Sequence, residues 1–464
     1  MFESYLSSAL REVLLKPTEV NNIDLLAKSL QPYLWDNGSY NFLHLEIKLK
    51  QTASKKALIQ EKEQASCFVT LVHEYIHYLQ NFSTTWGFTN FITYVDFFAA
   101  FFGDNILLDT DPSLPLKGGQ IDSKFGAKSY SNYLKSAFLG IAKGTDGKFQ
   151  FQATNDANFT IVESTIEDPY WGKEVYIAYV ALDKKLIPLN ELVISENMAI
   201  VASYLASGLT LEETRKTISS IWGPQYHVIY SFTASLFPNK NCLKITYLIC
   251  EVSLLIPPYN KKVVDILKFL NDQQLTFNNN TEAEINEAIL TYINFNKALD
   301  GLMVNINRQL ESRILTFGKY KDQYEFYKFL IVVLNLFKVG FAKRVAAKHT
   351  YCDRMDLNFL NAYALDMFSP ILIFADGQKS MLGNPPDDFI NSIASFHGIL
   401  KIFHQSYYAK IQKCPFFETH SICNVSKGTE CENDATSIYG RPEYAGCIMD
   451  NALNVIGIKK LGRK

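Results

Sequence analysis

His73-Glu74-Tyr75-Ile76-His77 spells H-E-x-x-H inside a stretch whose apolar spacing reads as helix. No other feature constrains the chain as strongly. On a helix, residues four apart lie about one turn apart on the same face, so two imidazoles can converge on one ion while Glu74 sits beside the open coordination position. With 8 histidines in 464 residues, the match arises by chance in only about one chain in a hundred of this composition. Thr70, Leu71, Tyr75, Ile76, Tyr78 and Leu79 are uncharged, which suits a helix buried in a core rather than one whose histidines merely face water. Zinc is the expected ion.

The uncharged flanks extend the motif to T/V-x-x-H-E-x-x-H, matched throughout by Thr70 to Leu79, and here the chain resembles the zincin metallopeptidases. Within that resemblance the third ligand defines the subfamily. A metzincin would place Gly and then His just after the second motif histidine, but Gln80 to Ser83 supply neither, and no inverted H-x-x-E-H occurs. The remaining arrangement is the gluzincin one, which implies a glutamate ligand from a second helix. Glu196 is the best candidate, in Ser195-Glu196-Asn197-Met198-Ala199, 119 residues beyond His77 (196 − 77). Ser195 can cap a helix start, and Glu196, Ala199, Ile200 and Ser203 would then share a face whose small side chains permit close approach. The alternative is that Glu196 is a first-turn glutamate complementing the helix dipole. Glu191, expected before the helix proper, is the reserve ligand.

The hydrophobic content of 48% and aromatic content of 14% support an ordered chain able to bury an ample core, long enough for more than one domain. A net charge of −2 without a long basic tract argues against nucleic acid as a partner. Lys459, Lys460, Arg463 and Lys464 read as a solvated tail. No secretory pattern is visible at Met1-Phe2-Glu3-Ser4, and the greasiest later run, Phe329 to Phe341, is interrupted by Asn335 and Lys338 well short of the ~20 residues that span a bilayer. A cytoplasmic protein without a membrane span is expected.

Leu43, Leu45, Ile47 and Leu49 alternate as a strand after the Asn37-Gly38 turn, and the metal helix is expected from about residue 60 to 80. A second apolar helix is expected over 90–102. Between Phe149 and Val180 the period becomes two, through Phe149, Phe151 and Ala153, then Phe159 and Ile161, then Val175, Ile177 and Tyr179, with turns at Asp146-Gly147 and Asn155-Asp156. A strand before the metal helix, strands after it and a Glu-bearing helix next is the order the resemblance implies, with an edge strand available to pair an extended peptide. From Thr210 the chain turns helical, with capping boxes at Thr210-Leu211-Glu212-Glu213 and Thr281-Glu282-Ala283-Glu284 and breaks at Pro257-Pro258 and Asn278-Asn279-Asn280. The expected class is α+β and predominantly helical. Residues 1–240 would form a zincin-like catalytic region with a small sheet, residues 241–410 a helical domain, and residues 411–464 a Cys-containing segment.

Cys67, Cys242, Cys250 and Cys352 lie in apolar helical surroundings and read as core thiols. Cys414, Cys423, Cys431 and Cys447 cluster among Pro415, Gly428, Gly440, Pro442 and Gly446. Four thiolates there could hold a second, structural zinc, with His420 able to replace one, or form disulfides, or remain unpaired; the absence of C-x-x-C leaves all three open.

The chemistry that the resemblance implies is hydrolysis of a peptide bond by a water polarised at the metal, with His73, His77 and Glu196 as ligands and Glu74 as general base. Gluzincins usually add a His or Tyr donor for the oxyanion. His227, after the Trp222-Gly223-Pro224 break, is the first candidate, and Tyr204 another. The Asp that the family places one turn beyond its glutamate ligand is absent, since Ile200 stands there. The expected function is an intracellular zinc peptidase acting on a peptide or protein substrate, its specificity restricted by the helical region or by a regulatory protein partner. The alternatives are a zinc-stabilised scaffold without catalysis and a zinc hydrolase of a non-peptide substrate.

Overall fold

The computed structural model describes residues 38–41, 46–49, 66–89, 91–92, 95, 151–152, 159–167, 174–182, 185–207, 209–221, 224–319, 325–346, 370–375 and 379–381. Most of the helix expected over 90–102, the turns at Asp146-Gly147 and Asn155-Asp156, and Cys352, Cys414, His420, Cys423, Cys431 and Cys447 lie outside the described residues. Helices dominate. Among the described residues two small sheets accompany them, where a single one was expected.

The chain folds as two compact units, each drawing on separated stretches of sequence. In the first, β3 (Phe151–Gln152), β4 (Thr160–Glu167), β5 (Glu174–Leu182) and β6 (Lys185–Pro188) form an antiparallel meander in that order. Its register sets Ile161 opposite Val180 and Val180 opposite Ile187, so the period-two pattern becomes a row of three buried side chains across the sheet. The same unit holds most of α2 (Glu191–Ser207), then α3 (Leu211–Ile221), α4 (Val228–Leu236), α5 (Cys242–Leu255), α6 (Tyr259–Asp272), the short α7 (Gln274–Phe277) and α8 (Glu282–Tyr292).

Every residue of α5 except Lys244 is buried, which is why its sequence is apolar all round rather than on one face. Cys242 and Cys250 are core thiols as expected, and burial pushes the Cys242 thiol up to about 12. Pro257-Pro258 separates α5 from α6, since proline has no N–H with which to continue the ladder. Helix α6 lies against β5, where Asn260 Nδ2 donates to Tyr176 O, and its Lys268 pairs with Glu163 of the adjoining β4. Phe159 meets the edge of Phe232 of α4 at 5.6 Å.

The expected capping boxes are both present. Thr281 accepts from the Glu284 N–H while Glu284 takes the Thr281 N–H, and Thr210 and Glu213 exchange the same bonds at the start of α3. Asn294 carries the chain out of α8 with φ of 50°, a left-handed conformation that asparagine tolerates better than most residues.

In the second unit, α1 (Ser66–Ser83) packs against β2 (Glu46–Leu49) and against α10 (Glu325–Ala346). The other sheet runs β1 (Gly38–Asn41), β2, β7 (Ile371–Ile373), β8 (Lys379–Met381). Strand β2 pairs with β7 in parallel, Ile47 beside Leu372, both fully buried. These late strands fall where a helical domain was expected: Ile371-Leu372-Ile373, just after Pro370, completes the edge that β2 offers. Along α10, Tyr327, Leu330, Leu334, Phe337 and Phe341 are buried at spacings of three and four. They face inward like the buried Ile306, Leu310 and Phe317 of α9 (Phe295–Gly318), and Phe317 meets Tyr327 at 5.5 Å. The greasy run from Phe329 to Phe341 therefore supplies the core stripe of α10, with Val332 and Val339 of the same run exposed. No helix among the described residues is long and apolar enough to cross a membrane.

A candidate metal centre on two buried helices

Helix α1 carries the motif through the core. Phe68, Leu71, Val72, Tyr75, Ile76, Tyr78, Leu79 and Phe82 are buried around it, and His73 and Glu74 are buried with them, while His77 is partly open. The helical spacing brings His73 Nε2 and His77 Nε2 to 3.2 Å with the rings at 84°. Two nitrogens each about 2.05 Å from one zinc at a tetrahedral angle stand about 3.4 Å apart. The pair therefore has the separation that a shared ion requires.

Glu196 completes the set. A ligand atom from each of His73, His77 and Glu196 lies within 4.8 Å of the other two. Glu196, like Ala199, Ile200 and Ser203 on the same face of α2, is buried. Two imidazoles and a carboxylate are the donor set of a zinc site that keeps a position for substrate.

The start of α2 differs from expectation. Ser195 is not the cap and Glu196 is not a first-turn residue, because the helix begins at Glu191, following Asn190, whose Oδ1 accepts from Val193 N at 2.9 Å. Strand β6 ends at Pro188, so the first capping side chain after it takes the role. Glu191 is thus the first helical residue rather than one before the helix, and it is not part of the ligand group. Burial pushes its carboxyl up to about 6, against the pull of its own backbone N–H.

His227 stands at the N-cap of α4, buried, with Nδ1 2.7 Å from Ser231 Oγ. It does not belong to the ligand group. It is tied to α2 by a residue with no motif to mark it: Asn197 Nδ2 donates to Val193 O at 2.7 Å and to Gln225 O at 2.9 Å, while Asn197 Oδ1 accepts from Ile229 N at 2.9 Å. The neighbour of the proposed carboxylate ligand therefore anchors the turn on both sides of His227. Tyr204, the other expected donor, is buried two turns further along α2. Gln80 likewise lies outside the five-residue motif. Its Oε1 lies 3.0 Å from His77 Nδ1, and a Gln three residues after a motif histidine was the only sequence signal for it.

Comparison of the chain with protein-family models, with curated proteins and with solved structures gives no match.

Proposed function

We propose that this chain is a zinc-dependent peptidase of restricted specificity, with His73, His77 and Glu196 as metal ligands and Glu74 as general base. The observation that carries the proposal is the convergence of the two motif imidazoles, 3.2 Å apart, with a buried glutamate from a second helix. When bound, zinc would supply Lewis acidity toward a scissile carbonyl and lower the pKa of water at the same place. The remaining steps belong to the protein. Glu74, adjacent to a ligand and buried, takes the proton of the attacking water and returns it to the leaving amine. His227, fixed by Ser231 and by the Asn197 clasp, is the candidate donor to the developing oxyanion. An extended peptide pairs along a strand edge, and among the described residues the outer strands of the meander are β3 and β6.

The test is cleavage of a peptide library by the purified chain beside its Glu74→Gln variant, with zinc measured in both. Glu74→Gln keeps size and polarity but removes the base, so hydrolysis should fall about a hundredfold or more while zinc is retained. Equal activity in the two proteins, or no cleavage by a zinc-loaded wild type, would overturn the peptidase reading and leave a zinc-organised scaffold or a hydrolase of another substrate.

A further inference from the structure

Helical spacing explains how two imidazoles come to share a face, but it leaves each ring free to rotate and to carry its proton on either nitrogen. At His77 the second question is answered by Gln80. An amide oxygen can only accept, so the 3.0 Å contact between Gln80 Oε1 and His77 Nδ1 puts the hydrogen of a neutral ring on Nδ1. The Nε2 lone pair is then left pointing to the place that His73 Nε2 also faces, 3.2 Å away.

Gln80 is itself held. It is buried in the last turn of α1, and its backbone oxygen accepts from Thr84 Oγ1 at 2.7 Å. Thr84 Oγ1 in turn accepts from Gly87 N at 2.9 Å. Gly87 packs so closely that a Cβ there would lie 2.1 Å from the Gln80 oxygen and 2.4 Å from Asn81 Cα. The clasp fixes the position from which the amide reaches His77.

We propose that Gln80 is the positioning residue of this metal centre, its side-chain oxygen holding His77 in the Nδ1–H tautomer and so reserving Nε2 for the ion. The inference rests on reading His73, His77 and Glu196 as ligands. Carboxylates more often orient metal-bound histidines, and charge gives a reason for an amide here. Glu196 and Glu74 already balance a divalent cation, and a third buried carboxylate would leave the centre with net negative charge.

Zinc is the probe. Its affinity is measured by competition with a chromophoric chelator for the full chain and for three variants, and folding of the metal-free proteins is followed by circular dichroism. Gln80→Met preserves length and volume without the acceptor, and it should weaken zinc binding about tenfold or more. Gln80→Glu restores an acceptor of the same shape and should bind zinc as tightly as the wild type or more tightly, although a residue serving only to fill the core would suffer from the buried charge. Wild-type affinity in Gln80→Met, or equal weakening in both variants, would overturn the proposal. If Gln80→Met does not fold, Gln80→Glu decides alone, with a tenfold loss counting against. His77→Ala separates the two readings: should it lose zinc while Gln80→Met keeps it, only the role of Gln80 fails, whereas zinc retained at wild-type affinity in His77→Ala removes the ligand assignment itself.

Discussion

Asn197 does more than its place beside a proposed ligand suggests. Its fully buried amide makes two donor contacts and one acceptor contact, joining α2 to the turn that carries His227. Asn197→Ala would leave Gln225 O and the buried Ile229 N–H without these partners, at about 1–3 kcal/mol each. Chemical denaturation should therefore show a loss of about 2–6 kcal/mol, and a loss below about 0.5 kcal/mol would mean that the clasp is incidental. Glu163 offers a second, pH-dependent test. Desolvation lifts its carboxyl, but hydrogen bonds from Lys268 and Tyr176 and the Lys268 charge outweigh this and hold it below 4.5. A carboxylate lowered on folding stabilises the native state above its unfolded pKa, and that contribution disappears as pH falls through the folded value. The stability difference between wild type and Glu163→Gln should be largest near neutral pH and shrink below about pH 4.5. A difference that stays constant from pH 7 to pH 3 would remove the electrostatic explanation.

Among the elements, α1 depends on how it ends. Thr84 interrupts the helix after Ser83, a new helical stretch occupies 85–89, and Phe337 of α10 fills the bend with Phe82, Phe88 and Phe91 around it at 4.8–5.9 Å. Only a residue without Cβ fits at position 87. Gly87→Ala must displace the backbone of Gln80 and Asn81, so we expect a loss of about 3 kcal/mol or more, visible as a lowered thermal midpoint; an unchanged midpoint would show that the bend has room that the contacts deny. Local codes made much of this level readable in the sequence. The two capping boxes and the H-E-x-x-H spacing involve residues within four positions of one another, so they operate in any fold that admits the helix. The cap of α2 was less readable, because Asn190 and Ser195 both precede a glutamate and both can cap. The end of β6 at Pro188 made the choice.

At the scale of the whole molecule, His77 and Glu196 stand 119 positions apart (196 − 77), and an ion bound to both stabilises only the folded chain. Free ligand at about a thousand times its Kd adds about 4 kcal/mol of stability. Stripping zinc with a chelator should lower the unfolding midpoint, and restoring zinc should recover it, with no such response in Glu196→Ala; an equal response in that variant would exclude Glu196 as a ligand. The sequence by itself determined the imidazole pair, the apolar helix around it, the antiparallel strands from 160 to 182 and the helical character of the described residues from Thr210 to Ala346, since each follows from a period or a cap written within a few residues. Tertiary structure decided which glutamate joins the histidines, the parallel union of Ile47 with Leu372, the hold of Gln80 on His77 and the Asn197 clasp. These depend on groups brought together by burial or by the end of another element, where no local period records the partner.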